Sequence, residues 1–243
     1  MNFLAIERSS SSGSAPSHPG AALYRDADLL ASTPFPVRAA REDTRPPNPK
    51  IIPHPASFDP WASSVSALFT SASVAPAELS AILLAIGPGS FSGIRAAIAF
   101  AQGLALPHSH IKILGVSTAA VIAWQHLRLA TPGDTCAVVG DARREHIWQA
   151  KFQFKNNRLL VNNNPPTHTA ADFTLIPYSA WDTGKNACAP LLSPDAERLL
   201  ALSPQPLALL PAFPSAEGLA SLHLADPSAF IENPLPIYLH NAV

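Results

Sequence analysis

The sequence contains few charged residues, and those it has nearly cancel. Charged residues make up 14% of the 243-residue chain, well below the roughly 25% of an average soluble domain. The 16 basic and 17 acidic residues leave a formal net charge of −1. Because binding to nucleic acid depends on Lys and Arg that displace counterions from phosphates, this balance disfavours a protein that binds RNA or DNA alone. The 47% of hydrophobic residues suffices for a sizeable core and excludes global disorder.

Cysteine and metal-ligand patterns are also scarce. Cys136 and Cys188 form no C-x-x-C pair, which argues against a disulfide framework and a structural zinc site. The pair His108 and His110 has no acidic neighbour, and no H-E-x-x-H spacing occurs, so we expect no metal. No run of about 18 apolar residues is present, and the chain lacks the basic start of a signal peptide. We therefore expect a cytoplasmic protein without membrane contact.

The apolar patterns predict a mixed α/β fold. Strands are expected at 3–6, 21–24, 80–86, 112–116, 135–139 and 146–154, with a turn at 140–145. Helices are expected at 60–72, 91–106, 117–130, 194–202 and 215–224. The proline-rich stretch 32–60 is expected to be loop or edge structure because proline prevents continuous helix.

The sharpest motif is the turn at 87–93, which follows an apolar strand and opens a helix. Its glycines, Gly87, Gly89 and Gly93, permit positive φ and close backbone approach, and a helix N-terminus offers free N–H groups to an anion. The motif therefore fits a phosphate cradle. Its spacing, however, departs from G-x-G-x-x-G, and Ile94-Arg95 stands where a P-loop has Lys-Ser/Thr. A tight turn that serves only packing is the alternative, and no cofactor is expected.

Two apolar helix stripes have two interpretations. They consist of Trp61, Val65 and Leu68 in one helix and Ile94, Ala97, Ile98, Ala101 and Ala105 in the next. Either they cover the chain's own sheet, or they form a surface for a partner. The turn from Asp141 to Glu145 also has two interpretations, because its charged side chains could bind an anion or could be solvated at a hairpin tip. No serine lies in a G-x-S-x-G elbow, so no nucleophile is indicated.

Six segments, taken in order, resemble the bacterial TsaB (YeaZ) family. They are Phe3-Leu-Ala-Ile-Glu7, Gly87-Pro88-Gly89-Ser90-Phe91-Ser92-Gly93-Ile94-Arg95, Ala101-Gln-Gly-Leu-Ala105, Gly115-Val-Ser-Thr118, Asp141-Ala-Arg-Arg144 and Pro236-Ile-Tyr-Leu239. The resemblance is strongest over 81–148. Members of the family usually carry Ile-Asp-Thr-Ser after the first strand, whereas this chain has Ile6-Glu7-Arg8-Ser9, and His240 replaces a terminal Arg.

The resemblance implies an actin/Hsp70/sugar-kinase-like fold of two lobes. Residues 1–106 would form the first lobe with the partner-binding helices, and 107–243 a reduced second lobe whose C-terminal segment could pack back on the first. The family's subunit is not itself catalytic. It pairs, through the helices at 60–72 and 91–106, with TsaD, which transfers a threonylcarbamoyl group to adenosine beside the anticodon of tRNA.

Further partners are implied in the same way. The ATPase TsaE joins the assembly, tRNA is reached only through the complex, and the chain could pair with itself when TsaD is absent. The alternative function is an autonomous kinase-like ATPase that uses the turn at 87–93 as a phosphate site. The Glu7-Arg8 departure makes nucleotide chemistry by the chain alone less expected.

Overall fold

The computed structural model describes residues 1–10, 20–35, 60–131, 133–156, 158–181, 190–202 and 208–240. In chain order the strands are β1 (Asn2–Glu7), β2 (Gly20–Arg25), β3 (Asp28–Pro34), β4 (Leu79–Ala85), β5 (Lys112–Val116), β6 (Thr135–Arg143), β7 (His146–Lys155), β8 (Arg158–Val161), β9 (Thr174–Pro177), β10 (Leu191–Ser193), β11 (Leu209–Pro211) and β12 (Ile231–Glu232). The helices are α1 (Pro60–Ala72), α2 (Phe91–Ala105), α3 (Thr118–Leu127), α4 (Ala196–Leu202) and α5 (Ala216–Ala225).

The first lobe is built on a mixed sheet with the strand order β12-β5-β4-β1-β2-β3. The hairpin β1-β2-β3 is antiparallel, and β1, β4 and β5 run parallel. Every side chain of β1 is buried, so both faces of the sheet are covered. This burial explains why β1 and β4 appear in the sequence as continuous apolar runs rather than as alternating patterns.

Three helices provide this cover: α1 packs on β2 and β3, α2 on β4 and β5, and α5 on β1, β2 and β4. The ring of Trp61 on α1 lies 4.7 Å from that of Phe100 on α2, centroid to centroid. The helix α3 packs mainly on β6 and β7, and its Trp124 Nε1 donates to Ser221 Oγ on α5 at 2.7 Å. Three of the helices begin after a serine whose hydroxyl accepts a backbone N–H of the first turn, and such a cap contributes about 1 kcal/mol. The capping residues are Ser90 for α2, Ser117 for α3 and Ser215 for α5.

The second lobe contains a sheet with the order β11-β10-β6-β7-β8, and β9 pairs with β7. Here β6, β7 and β8 are antiparallel, whereas β6, β10 and β11 are parallel. The strand order thus repeats that of β5-β4-β1-β2-β3 in the first lobe. The two-lobed α/β fold of the actin/Hsp70/sugar-kinase type is confirmed by this repeated topology.

The predicted lobe boundary after residue 106 is too early. β5 begins at Lys112 and belongs to the first sheet, because a parallel β4-α2-β5 crossover keeps both strands in one sheet. The second sheet spans Thr135–Pro211. Residues 212–240 then return to the first lobe, where α5 packs on β1 and β2 and β12 pairs with β5.

Most predicted elements are confirmed, among them the helix at 60–72 and the strand at 112–116. The predicted turn at 140–145 is wrong in its first half, since β6 continues to Arg143. Gly140 pairs there with Trp148, and the indole ring occupies the space that a Cβ on Gly140 would need. The strand β3 was not expected. Most of the proline-rich stretch, residues 36–59, lies outside the described residues.

His168 connects the two lobes in the interior. Its Nδ1 accepts a hydrogen bond from the Ser117 amide at 3.1 Å, and its Nε2 donates to the Ala229 carbonyl at 2.5 Å. This pair of bonds requires a neutral ring that carries its proton on Nε2. Burial lowers the pKa of His168 despite the opposing effects of the Ala229 hydrogen bond and the Asp172 charge.

We predict that His168 makes the protein less stable as the pH falls below 6.5, the ordinary pKa of histidine. The unfolded chain then binds a proton that the buried His168 ring resists, so the free energy of unfolding decreases. Burial also lowers the pKa of His223, which acts in the same direction, whereas the raised pKa of Glu7 acts in the opposite one. His168→Gln should therefore reduce the difference between urea midpoints measured at about pH 7.5 and 5.5. His126→Gln is the control, and an equal pH dependence in both variants would contradict the assignment.

Candidate functional site: the glycine turn and the inter-lobe cleft

The turn at 87–93 is filled by the chain's own backbone. A Cβ on Gly89 would overlap the carbonyl oxygen of Ser9, and one on Gly93 would overlap that of Arg8. The amide of Ser90 donates to the same Ser9 carbonyl at 2.6 Å. The two glycines therefore let the end of β1 lie directly against the start of α2.

Gly87 connects the other side of the turn to α3. Its φ of +106° lies in the left-handed region that favours glycine. Its amide donates to Thr118 Oγ1 at 3.1 Å, and its carbonyl accepts from the Thr118 amide at 2.7 Å. The structure thus favours the tight turn over the phosphate cradle, because the carbonyl oxygens packed against Gly89 and Gly93 would repel an anion.

The acidic residue at the end of β1 points inward. Glu7 is fully buried, and its Oε1 accepts from the Ser9 amide and hydroxyl, both at 2.5 Å. Ser10 donates its hydroxyl to Oε2 at 3.0 Å. Burial raises the pKa of Glu7, and these hydrogen bonds oppose the rise. The Glu7 carboxylate thus binds the two serines that follow β1 and does not line the cleft.

A cavity of about 760 Å³ lies between the lobes, within the size range of small-molecule sites. Its walls come from residues 9–10, 88–92 and 95 of the first lobe, residues 141–144 and 194–195 of the second, and the C-terminal segment 237–240. The repeated topology explains this arrangement, since the ends of the equivalent strands β1 and β6 both border the cavity.

Asp141 organises the second-lobe wall. Its side chain is 1% exposed and accepts from Arg143 Nη1 at 2.8 Å and Arg198 Nε at 2.6 Å. Tyr178 Oη donates to it at 2.7 Å, and burial together with this carboxylate raises the pKa of Tyr178 to about 12. The interpretation of the turn as solvated charges is therefore wrong for Asp141, although Arg144 is exposed.

The first-lobe rim carries a stack of aromatic rings and a guanidinium. Arg95 Cζ lies 4.0 Å from the ring centroid of Phe91 and 5.5 Å from that of Tyr238. Arg95 Nε donates to Tyr238 Oη at 2.8 Å. Phe91 and Tyr238 remain 56% and 43% exposed. The fold thus joins the family segment at 87–95 to the last one, at 236–239, a contact that sequence reasoning missed.

The C-terminal segment reaches both lobes. The amide of Ile237 donates to the Ile86 carbonyl at 2.9 Å, next to the glycine turn. His240 Nε2 donates to the carbonyl of Ala142 on the second lobe at 2.8 Å. His240, which departs from the family pattern, is therefore part of a connection across the cleft.

The two helix stripes face the interior. The buried members are Trp61, Val65, Leu68, Ile94, Ala97, Ile98 and Ala101, and Ala105 is half-buried. All of them belong to, or pack against, the core of the first lobe. A partner seated on α1 and α2 would therefore meet the other faces of these helices.

Metal sites and membrane spans were searched for in the described ranges. No group of three or more His, Cys, Asp or Glu side chains there could hold a metal ion. None of the described helices has the length and hydropathy to cross a bilayer.

We predict opposite effects for two glycines of α2. Gly93→Ala should lower the free energy of unfolding by about 2 kcal/mol or more, because the new Cβ meets the Arg8 backbone. Gly103→Ala should raise it by about 0.5–1 kcal/mol, because its Cβ would enter open space and alanine favours helix. Urea unfolding measures both, and similar effects of the two changes would contradict the packing described for the turn.

The chain is similar in sequence to proteins of tRNA threonylcarbamoyladenosine biosynthesis. A family model described as TsaD, tRNA N6-adenosine threonylcarbamoyltransferase, matches residues 60–172. The tRNA threonylcarbamoyladenosine biosynthesis protein TsaB of Escherichia coli is 32% identical over 93 residues, which cover 38% of this chain and 39% of that protein. The chain thus spans about two fifths of that curated relative in the match.

Longer matches exist. The uncharacterised protein Mb3455c of Mycobacterium bovis is 31% identical over 177 residues, or 72% of this chain and 71% of that one. The structure of YeaZ from Pseudomonas aeruginosa shares the fold with a TM-score of 0.63 and 24% identity, covering 98% of this chain and 99% of that one. A second Pseudomonas aeruginosa structure, described as similar to peptidase YEAZ, has a TM-score of 0.65 at 23% identity and the same coverage. By sequence and by fold, the chain belongs to the TsaB (YeaZ) family.

Proposed function

We propose that the protein is a non-catalytic subunit that binds and stabilises TsaD for the threonylcarbamoylation of tRNA adenosine beside the anticodon. The family supports a role in threonylcarbamoyladenosine biosynthesis. The finer role, a scaffold rather than a catalyst, rests on the two surfaces described next. In this proposal TsaE joins the complex in the cytoplasm, and tRNA is held mainly by the partners, because this chain is neutral overall.

The observation that carries the proposal is the outward face of α1 and α2. The two helices are neighbours through the Trp61 and Phe100 rings. The exposed positions include Ser63, Ser66, Ala67 and Thr70 on α1, and Ala99, Gln102 and Gly103 on α2. None of these residues is charged, and most are small, which allows the helices of a partner to approach closely. The same face could pair with a second copy when TsaD is absent.

The state of the cleft supports a non-catalytic role. Among the described residues that line it, Asp141 is held by two arginines and Tyr178, and Asp195 accepts the Asp141 amide at 3.0 Å. Burial also raises the pKa of Asp195. The alternative function, an autonomous ATPase, would bind phosphate at the glycine turn. There, backbone carbonyls pack against Gly89 and Gly93. No observation favours that second function.

The test of the interface is co-purification with TsaD from the same organism. Ala67→Arg on α1 and Gly103→Arg on α2 should each weaken the complex by at least about tenfold, because a long charged side chain would separate the packed helices. Ala201→Arg places the same charge on an exposed position of α4 in the second lobe and should leave affinity unchanged. Unaltered binding by both first-lobe variants would contradict the proposal.

The test of the scaffold role is tRNA modification reconstituted from purified components. Omitting this chain should abolish or strongly reduce threonylcarbamoyladenosine formation, and adding the Ala201→Arg control should restore it. The chain alone should not hydrolyse ATP. Turnover of ATP by the isolated protein would instead favour the kinase-like alternative.

A further inference from the structure

The mouth of the inter-lobe cleft carries three arginines on a chain whose net charge is −1. Arg95 stands on the first-lobe rim, and Arg143 and Arg144 stand on the second-lobe rim. Of the two acidic residues in the lining, Asp141 pairs with Arg143 and Asp195 accepts a backbone amide, so neither balances Arg95 or Arg144. Arg144 is exposed, and within the described ranges its guanidinium has no acidic partner.

The first-lobe side of this mouth presents a ready hydrogen-bonding fork. Arg95 is held over Phe91 and uses only its Nε for Tyr238. Its Nη groups have no partner within the described residues, and a planar guanidinium binds a carboxylate through two parallel hydrogen bonds. Exposed Phe91 and Tyr238 add apolar contact area around it. Arg and Tyr are the residue types that dominate binding energy in protein interfaces.

The rest of the cavity lining offers an anion no further Lys or Arg. It consists mainly of serine and threonine hydroxyls, apolar side chains and the carboxyl groups of Asp141 and Asp195. An anionic ligand is therefore held at the mouth, with the rest of the ligand outside the cleft. A segment of a larger molecule meets that condition better than a small anion that the cavity would enclose.

We propose that the mouth of the cleft is a docking site for an acidic polypeptide segment of a partner protein. Carboxylates of the segment pair with Arg95 and Arg144, and its chain crosses the exposed rings of Phe91 and Tyr238. RNA is less favoured because the lining has three arginines and no lysine, whereas nonspecific RNA binding uses a longer basic track. Arg95 and Phe91 stand on α2, which also carries part of the proposed TsaD face, whereas Arg144 and Tyr238 lie outside α1 and α2.

The experiment uses the full chain and fluorescently labelled hexaglutamate, with hexaglutamine as the uncharged probe. Fluorescence anisotropy should show binding of hexaglutamate alone, and raising NaCl from about 0.05 to 0.5 M should weaken it. Arg144→Ala and Arg95→Ala should each reduce affinity about tenfold. Arg158→Ala removes an exposed arginine outside the cleft and should change nothing. Arg95→Lys should fall between wild type and Arg95→Ala, because lysine keeps the charge but loses the fork.

Three results would overturn the proposal. They are absence of hexaglutamate binding to the wild type, equal affinity in the Arg144→Ala, Arg95→Ala and Arg158→Ala variants, and tighter binding of an oligouridylate that weakens in the same two cleft variants. Circular dichroism of each variant establishes that it is folded. Ala67→Arg, the variant designed to lose TsaD, should retain hexaglutamate binding, so failure of either proposal is separable from failure of the other.

Discussion

Direct contact between two backbone segments determines the centre of this molecule. The carbonyls of Arg8 and Ser9 occupy the space that side chains at Gly93 and Gly89 would take, and the Ser90 amide bonds to Ser9. This contact places the N-terminus of α2 against the end of β1, where Ser9, Gly89 and Ser90 border the cleft. A glycine loop between a strand end and a helix N-terminus would ordinarily suggest phosphate binding. Here the same residue types serve backbone packing, and the electronegative groups of the chain itself fill the position.

The two lobes repeat one strand order, yet they differ in what they present. The first-lobe sheet is covered by α1, α2 and α5, and apart from Arg95 the exposed positions of α1 and α2 are uncharged. The second lobe neutralises its principal carboxylate, Asp141, with Arg143 and Arg198. Asp141 and Asp195 are hydrogen-bonded within the second-lobe wall, whereas Phe91, Arg144 and Tyr238 are exposed at the mouth of the cleft. A protein of this kind is suited to binding other chains, which is the common element of both proposals.

Local patterns predicted most of the elements because they depend on short-range chemistry. The helix at 60–72 follows from its apolar spacing and Pro60 at its first position, and the strand at 112–116 from its short apolar run. The strand β3 was not predicted because it lies at the edge of the sheet and its burial does not alternate regularly. At such a position β-propensity depends on the neighbouring strand. The predicted lobe boundary differs from the structure because β5 joins the first sheet by pairing with β4, and local sequence does not show this pairing. The contacts of Arg95 with Tyr238 and of Asp141 with Arg198 join residues far apart in the chain, and no local pattern encodes them.

The sequence by itself determined the fold class, the family and the position of the glycine turn, because apolar periodicity and an ordered set of motifs are properties of the chain. It also showed a shortage of charge without locating it. Only the tertiary structure decided which way the helix stripes face, and it turned Val65 and Ile98 into the core of the first lobe. It likewise decided that Gly89 and Gly93 meet backbone rather than a ligand. Burial and approach distances are set by packing between distant segments, and those distances are what separate a binding site from a well-packed turn.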